Sequence, residues 1–315
     1  MEYRELGQTG MNVSRLCFGA LTIGPLQAHL PLREGAAVIR AALERGVNFI
    51  DTAASYDTYP YIREALSGWR EEVWVASKSY DYTAEGMRQS VETGLRATGL
   101  GQFGLFMLHE QETRLTLAGH RPALEYLLQA KEKGIIRAVG VSTHAVEVVE
   151  AVAEMPEVDV VHPLLNSDGI GILDGGRDDM VRAVARAKAA GKGVYGMKPL
   201  GGGNLLGRAP EAFAFVLGNS DLDAVAVGMQ STDEVALNAA LFSGEPVPPA
   251  MWDAVRRAPR RLHIEDWCIG CGACAARCAQ GALAVVDGRA VVDPARCVLC
   301  GYCSAVCRDF CIKVI

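Results

Sequence analysis

Ten cysteines occur in the 315 residues, and nine of them lie between Cys268 and Cys311. Eight of the nine repeat one spacing, C-x2-C-x2-C-x3-C: Cys268, Cys271, Cys274 and Cys278, then Cys297, Cys300, Cys303 and Cys307. Residues 268–286 and 297–315 align as two 19-residue copies with these cysteines coinciding, so the pattern is an internal repeat. Thiolates are soft ligands for iron. Gaps of two residues let consecutive sulfurs converge on one iron–sulfur cube while backbone N–H groups face its sulfides. Gly272 and Gly301 relieve crowding there. C-x2-C pairs also close on zinc, but a zinc site does not require eight cysteines in a doubled pattern. A second reactive set lies far upstream: Asp51, Tyr56, Lys78 and His109. A phenol supported by an ammonium, a carboxylate and an imidazole can deliver a proton to an oxygen on which negative charge develops.

These residues need elements to position them. From residue 15 to about 242, short apolar runs alternate with longer amphipathic stretches, the pattern of parallel strands joined by crossover helices. Strands are expected at 16–18, 47–51, 73–77, 103–108, 135–141, 158–162, 193–197 and 224–227. Helices are expected at 33–45, 84–98, 121–133, 178–190 and 232–242, with Gly46, Gly134 and Gly191 at helix ends. Eight such units close a (β/α)8 TIM barrel, an α/β fold whose active sites lie where strands pass into βα loops. Asp51 ends the second run, with Tyr56 next in DTAASY; Lys78 follows the third in VASKS, and His109 the fourth in LFMLHE. Tyr59, Tyr61, Tyr80 and Tyr82 either shape the pocket or sit on surface loops. Residues 3–13, with Gly7 and Gly10 at a turn, suit a hairpin over the barrel floor.

The expected division is a barrel over 1–242, a linker or docking segment over 243–266, and a small α+β cysteine-rich domain over 267–315. The linker carries Pro246, Pro248, Pro249 and Pro259, and its Arg256, Arg257, Arg260 and Arg261 read as a solvated helix face. A composition of 50% hydrophobic and 22% charged residues suits a folded chain with a core. The net charge of −6, from 31 basic and 37 acidic residues, gives no general attraction to nucleic acid or anionic membranes. Met1–Glu5 lacks the apolar core of a signal peptide, and no apolar run approaches the roughly 18 residues of a membrane span. A cytoplasmic location is expected, where clustered cysteines are read as metal ligands before disulfides.

The Asp51, Tyr56, Lys78, His109 set, in this strand order, resembles the aldo-keto reductase family over roughly residues 3–242. The phrases GVNFIDTAASY, IRAVGVS, GMKPLGGG and VGMQSTDEVALN are similar to family motifs. The resemblance implies hydride transfer between NAD(P)H and a small-molecule carbonyl, with Tyr56 as proton donor. A free phenol has a pKa near ~10, and the Lys78 ammonium, held by Asp51, would favour the phenolate; His109 would orient the carbonyl oxygen. It also implies a nicotinamide dinucleotide extended across the barrel mouth. Ser142 and Asn166 would lie at the carboxamide, with Met197, Pro199, Leu200 and Gly201 through Gly203 following toward the pyrophosphate. Gly228, Met229, Gln230, Ser231 and Asn238 would hold the adenosine end. Two departures stand out. The usual Gln near strand six is replaced by His162-Pro163. Where NADPH-preferring relatives place Arg or Lys, this chain has Gln230, Asp233 and Glu234. Either NADH is used, a basic residue arrives from elsewhere, or the dinucleotide site is weakened.

The tail is similar to bacterial two-cluster ferredoxins, in which the fourth cysteine of each run reaches the other cluster. By that resemblance one [4Fe-4S] cluster takes Cys268, Cys271, Cys274 and Cys307, and the other takes Cys297, Cys300, Cys303 and Cys278. Ferredoxins usually place Pro after the fourth cysteine; here Ala279 and Arg308 stand there. Cys311 matches Ala282 in the other copy and reads as a small core residue, as does Cys17. Between 264 and 315 five acids (Glu265, Asp266, Asp287, Asp293, Asp309) balance five bases (Arg277, Arg289, Arg296, Arg308, Lys313), so the tail lacks the acidic surface of free ferredoxins.

Nicotinamide passes two electrons as a hydride and each cluster passes one, so coupling the halves needs an intermediary. No flavin motif is present, although a flavin would serve. The leading expectation is an aldo-keto reductase-like oxidoreductase whose tail relays electrons or shapes one side of the active-site mouth. The competing expectation is an iron–sulfur electron-transfer protein whose barrel binds a flavin, a nicotinamide or a partner without carbonyl reduction. A ferredoxin or other redox protein is a possible partner in either case. A third reading, a barrel that only senses nicotinamide redox state, has no need of Tyr56 and Lys78 together.

Overall fold

The computed structural model describes residues 1–315. Strands β1 (Tyr3–Glu5) and β2 (Asn12–Ser14) form the expected antiparallel hairpin. Eight parallel strands follow: β3 (Leu16–Gly19), β4 (Phe49–Asp51), β5 (Trp74–Ser79), β6 (Phe103–Leu108), β7 (Ile136–Thr143), β8 (Val160–Pro163), β9 (Gly193–Met197) and β10 (Ala224–Gly228). Each pairs with the next, and β10 closes on β3 with Val225 opposite Leu16, giving the eight-stranded barrel. β4 starts two residues later than the apolar run because the Val47 N–H bonds Ala42 O and belongs to the helix end.

Side chains fill the barrel as the two-residue strand period requires. Cys17, Phe49, Ala76, Met107, Ala138 and Tyr195 point inward and meet Leu6, Met11 and Val13 of the hairpin, which plugs the floor. Two residues beyond Phe49 and Ala76, the same inward direction carries Asp51 and Lys78 to the opposite, open end. The helices pack outside: Ala84–Thr98 starts on Thr83, whose hydroxyl accepts the Gly86 N–H at 3.0 Å, and ends on Gly99 in the left-handed region.

The linker 243–266 contains a helix, Pro249–Arg256, and then β11 (Leu262–Ile264), which belongs to the tail's sheet. The tail continues with β12 (Leu283–Val286), β13 (Arg289–Val292) and β14 (Ile312–Val314); β11 pairs antiparallel with β14, and β12 with β13. The sequence repeat is also a backbone repeat. Positive φ recurs at matched positions: Gly270 and Leu299 (65° and 52°), Gly272 and Gly301 (80° and 77°), Gly281 and Phe310 (56° and 49°). No helix is long and apolar enough to cross a membrane.

Candidate functional site

The four upstream residues meet at the open end of the barrel. Lys78, only 1% exposed, donates from Nζ to Oδ1 and Oδ2 of Asp51 and to the Thr52 carbonyl, all at 2.8 Å. Tyr56 sits in the 3-10 turn after β4, ahead of Asp57 in the left-handed region, and its hydroxyl lies 3.4 Å from His109 Nε2. Lys78 Nζ is 5.0 Å from the Tyr56 ring centroid. Burial, then the charges of Asp51 and Glu110, push the Tyr56 phenol well above its usual pKa. The Lys78 ammonium directs its three protons at Asp51 and Thr52 rather than at the phenol oxygen, so in this state Tyr56 keeps its own proton. Burial, then the Lys78 charge, push His109 well down, so it is a neutral imidazole. Its Nδ1 has no partner.

Asp51 would be raised by burial, but the Lys78 charge, then His162, and hydrogen bonds from Lys78 and Tyr195 bring it below its ordinary value. Tyr195 and His162 are site residues that sequence reasoning missed. The Tyr195 hydroxyl donates to Asp51 Oδ1 at 3.0 Å, and its ring stacks on His162 at 3.8 Å. His162 Nδ1 donates to the Tyr195 carbonyl at 2.6 Å, leaving Nε2 3.6 Å from Asp51. The signal was an inward polar residue midway along β8 and another along β9. The four tyrosines divide. Tyr59 and Tyr61 are buried behind the site, bonded to Ser77 and the Leu30 carbonyl, and Tyr82 is exposed. Tyr80 stacks on His109 with centroids 4.1 Å apart and donates to Glu110 at 2.5 Å.

The residues assigned to the dinucleotide are largely engaged already. Ser142 Oγ accepts the Glu110 N–H at 2.8 Å, and Asn166 closes its own loop through the Ile170 carbonyl and amide at 2.9 and 3.0 Å. Met197 and Leu200 pack with Phe310 of the tail, and Pro199 is buried. Gly201, Gly202 and Gly203 all have positive φ, but their bare backbone faces β14: Val314 N–H donates to Gly202 O at 2.9 Å. Gly228 lies against Thr22, and Met229 is buried. Ser231 caps the helix Thr232–Phe242 by accepting the Glu234 N–H, and Asn238, buried on that helix, has an unpaired Oδ1. A basic residue does arrive from elsewhere. Arg260, expected on a solvated face, is instead folded in, donating to Gln230 Oε1 at 3.2 Å and pairing with Glu234. With the tail in this position, the residues do not fit an extended dinucleotide.

The tail fits iron–sulfur clusters. One cavity is lined by Cys268, Cys271, Cys274 and Cys307, with Cys311 also on its wall, and a second by Cys278, Cys297, Cys300 and Cys303. Backbone N–H groups face the sulfurs, with Ala282 N to Cys278 Sγ and its repeat mate Cys311 N to Cys307 Sγ both at 3.3 Å. Without the usual proline, Cys278 and Cys307 still share one extended conformation, φ −75° and −90° with ψ 100° in both. Burial pushes the Cys303 thiol up to about 11 and raises Cys274, so as thiolates these two need a nearby cation. Cys311 and Cys17 are buried, as expected of core residues.

Comparison with known proteins finds matches for two parts of the chain. Residues 15–221 match the aldo/keto reductase family and residues 261–308 match the 4Fe-4S dicluster domain. The chain is 25% identical to L-galactose dehydrogenase of Arabidopsis thaliana, covering 76% of this chain and 88% of that protein. It is 29% identical to an aldo-keto reductase of Mycolicibacterium paratuberculosis, over 68% and 78% of the two chains. A putative aldo-keto reductase structure from Pseudomonas aeruginosa superposes with a TM-score of 0.67 at 25% identity, covering 77% of this chain and 94% of that one. The chain belongs to the aldo/keto reductase family, an oxidoreductase barrel joined to a C-terminal 4Fe-4S dicluster domain.

Proposed function

We propose that this enzyme interconverts a small carbonyl compound and its alcohol, with Tyr56 as general acid and two [4Fe-4S] clusters held in the tail. The carrying observation is the 3.4 Å approach of the Tyr56 hydroxyl to His109 Nε2 above the buried Lys78–Asp51 pair. A carbonyl oxygen within about 3 Å of both Tyr56 and His109 would be oriented by hydrogen bonding, and Tyr56 would deliver its proton as negative charge develops there. The Lys78 ammonium then compensates the charge left on the phenol oxygen. Asp51, fixed by Tyr195 as well as Lys78, keeps that ammonium in place. NADH or NADPH is the donor that the family implies, and when bound it supplies a hydride. Crossed ligation is the cluster assignment supported by the two cysteine-lined cavities, Cys307 completing the first set and Cys278 the second.

The test is anaerobic: reconstituted protein should oxidise NADH or NADPH in the presence of a carbonyl compound, and Tyr56→Phe should lose that turnover. Unchanged turnover in the variant would sink the assignment. The engaged state of the dinucleotide residues favours a second reading, an electron-transfer protein in which a ferredoxin or another redox protein exchanges electrons with the clusters. Cluster reduction by such a donor, together with no dinucleotide binding in any form of the protein, would select it.

A further inference from the structure

We propose that the docked end of the tail and a nicotinamide dinucleotide compete for one track on the barrel mouth, so that the tail gates the reductase site. The inference rests on the dinucleotide reading above. Three contacts carry it. At the glycine loop after β9, Val314 N–H bonds Gly202 O, Asn204 Nδ2 bonds the Ile312 carbonyl at 3.0 Å, and a Cβ on Gly203 would stand 2.0 Å from Val314 O. Backbone lies on backbone there, leaving no room for a diphosphate. Beside Met197, the Phe310 ring is 3% exposed, fills the space against Leu164 and Leu205, and meets His144 edge-on at 6.0 Å. At the far end, Arg260 holds Gln230 and Glu234.

These contacts form one movable unit. Arg261 and Ile315 exchange both backbone hydrogen bonds, at 2.8 and 3.0 Å, so the segment bearing Arg260 and the strand bearing Val314 are tied together. Releasing them withdraws the buried Phe310 ring from its place against Leu164, Met197 and Leu205 and leaves the main barrel core and the tail's own core intact. The docked state is also rich in cations that phosphates can take over. Arg260 faces Glu234, and Lys198 donates to His144 at 2.7 Å and lies 3.6 Å from Glu110. A dinucleotide brings phosphate charge to the same end of the barrel, so it can replace the carboxylates as their partner while displacing β14. Binding to the open state alone shifts the population toward it, and the closed fraction weakens apparent affinity in proportion.

The experiment is amide hydrogen exchange on the full-length, cluster-loaded protein with and without saturating NADPH or NADH, alongside fluorescence binding titrations. Added dinucleotide should deprotect the Val314 amide, whose bond crosses to Gly202 O, while Arg261 and Ile315, bonded to each other within the moving unit, keep theirs. The variant R260A/F310A, which loosens docking, should bind at least about tenfold more tightly than wild type; R260A alone serves if the double variant loses its clusters. Wild type that binds dinucleotide while the Val314 amide keeps its protection would overturn the gate and leave the dinucleotide reading standing. Absence of binding in wild type and in both variants would instead overturn the dinucleotide reading, and the gate with it.

Discussion

Replacing Lys78 with methionine should destabilise the barrel more than any exposed charge change. The side chain is buried, and its ammonium makes three bonds at 2.8 Å, two to Asp51 and one to Thr52 O. Methionine keeps the length and removes the charge, leaving the Asp51 carboxylate, 6% exposed, without its cation. Breaking a buried pair from one side costs about 3–5 kcal/mol. Because the Tyr195 hydroxyl still donates to Asp51 at 3.0 Å, the loss should lie near the lower end, about 3 kcal/mol. For a domain of this size that is a fall in Tm of roughly 6–12 °C. The pH dependence has a definite sign. Asp51 has a lowered pKa in the native wild type, so its stabilising contribution is present above the ordinary carboxylate range and is lost as pH falls through its native value. In the variant, burial without the ammonium raises that pKa, Asp51 takes up a proton, and the two melting curves should converge in acid. Circular-dichroism melts from about pH 2 to pH 8 read both effects. The double variant D51N/K78M should lose less than the sum of the single changes. A K78M protein within about 1 kcal/mol of wild type at neutral pH would refute the reasoning.

Other consequences are more local. Tyr56→Phe should lower carbonyl turnover by about 100-fold or more with little change in melting, because the hydroxyl's one contact is the 3.4 Å approach to His109; a large fall in Tm would give the phenol a structural role instead. Cys278→Ser should lower bound iron to about half, with the spectroscopic loss falling on the cluster of Cys297, Cys300 and Cys303; loss of the cluster of Cys268, Cys271 and Cys274 would contradict crossed ligation. Burial would raise Glu110, but the Lys198 charge leads the effects that hold it far below its ordinary 4.5. Its contribution is thus present above about pH 4.5 and lost in acid, and E110Q should show a shallower loss of stability there; parallel denaturation curves would exclude it. Chelating the iron should raise exchange at Val314 and Ile315, since β14 follows directly on the cluster ligands; unchanged protection would mean that β14 docks without the clusters.

The barrel was legible because its strands are continuous apolar runs with the reactive residues at their ends; 103–108 and 193–197 match β6 and β9 to the residue. The cysteine repeat was legible because metal ligation fixes short spacings. Tyr195 and His162 were not, because inside a barrel a core aromatic and a charge-bearing one share the same inward phase, and only the meeting of β4, β8 and β9 around Asp51 separates them. The second use of the glycine loop was hidden for a similar reason. Three successive glycines declare that something approaches the backbone closely without declaring what. Arg260 read as a solvated charge because its partners, Gln230 and Glu234, lie on the far side of a proline-broken segment.

The most direct test of the account is isotopic. With NADH or NADPH deuterated at the transferable position and a carbonyl substrate in ordinary water, mass spectrometry of the alcohol should find one deuterium on the former carbonyl carbon, with none appearing when Tyr56→Phe replaces wild type. Alcohol formed at full rate with only solvent hydrogen on that carbon would contradict direct hydride transfer at the Tyr56 site and assign the electrons to the clusters.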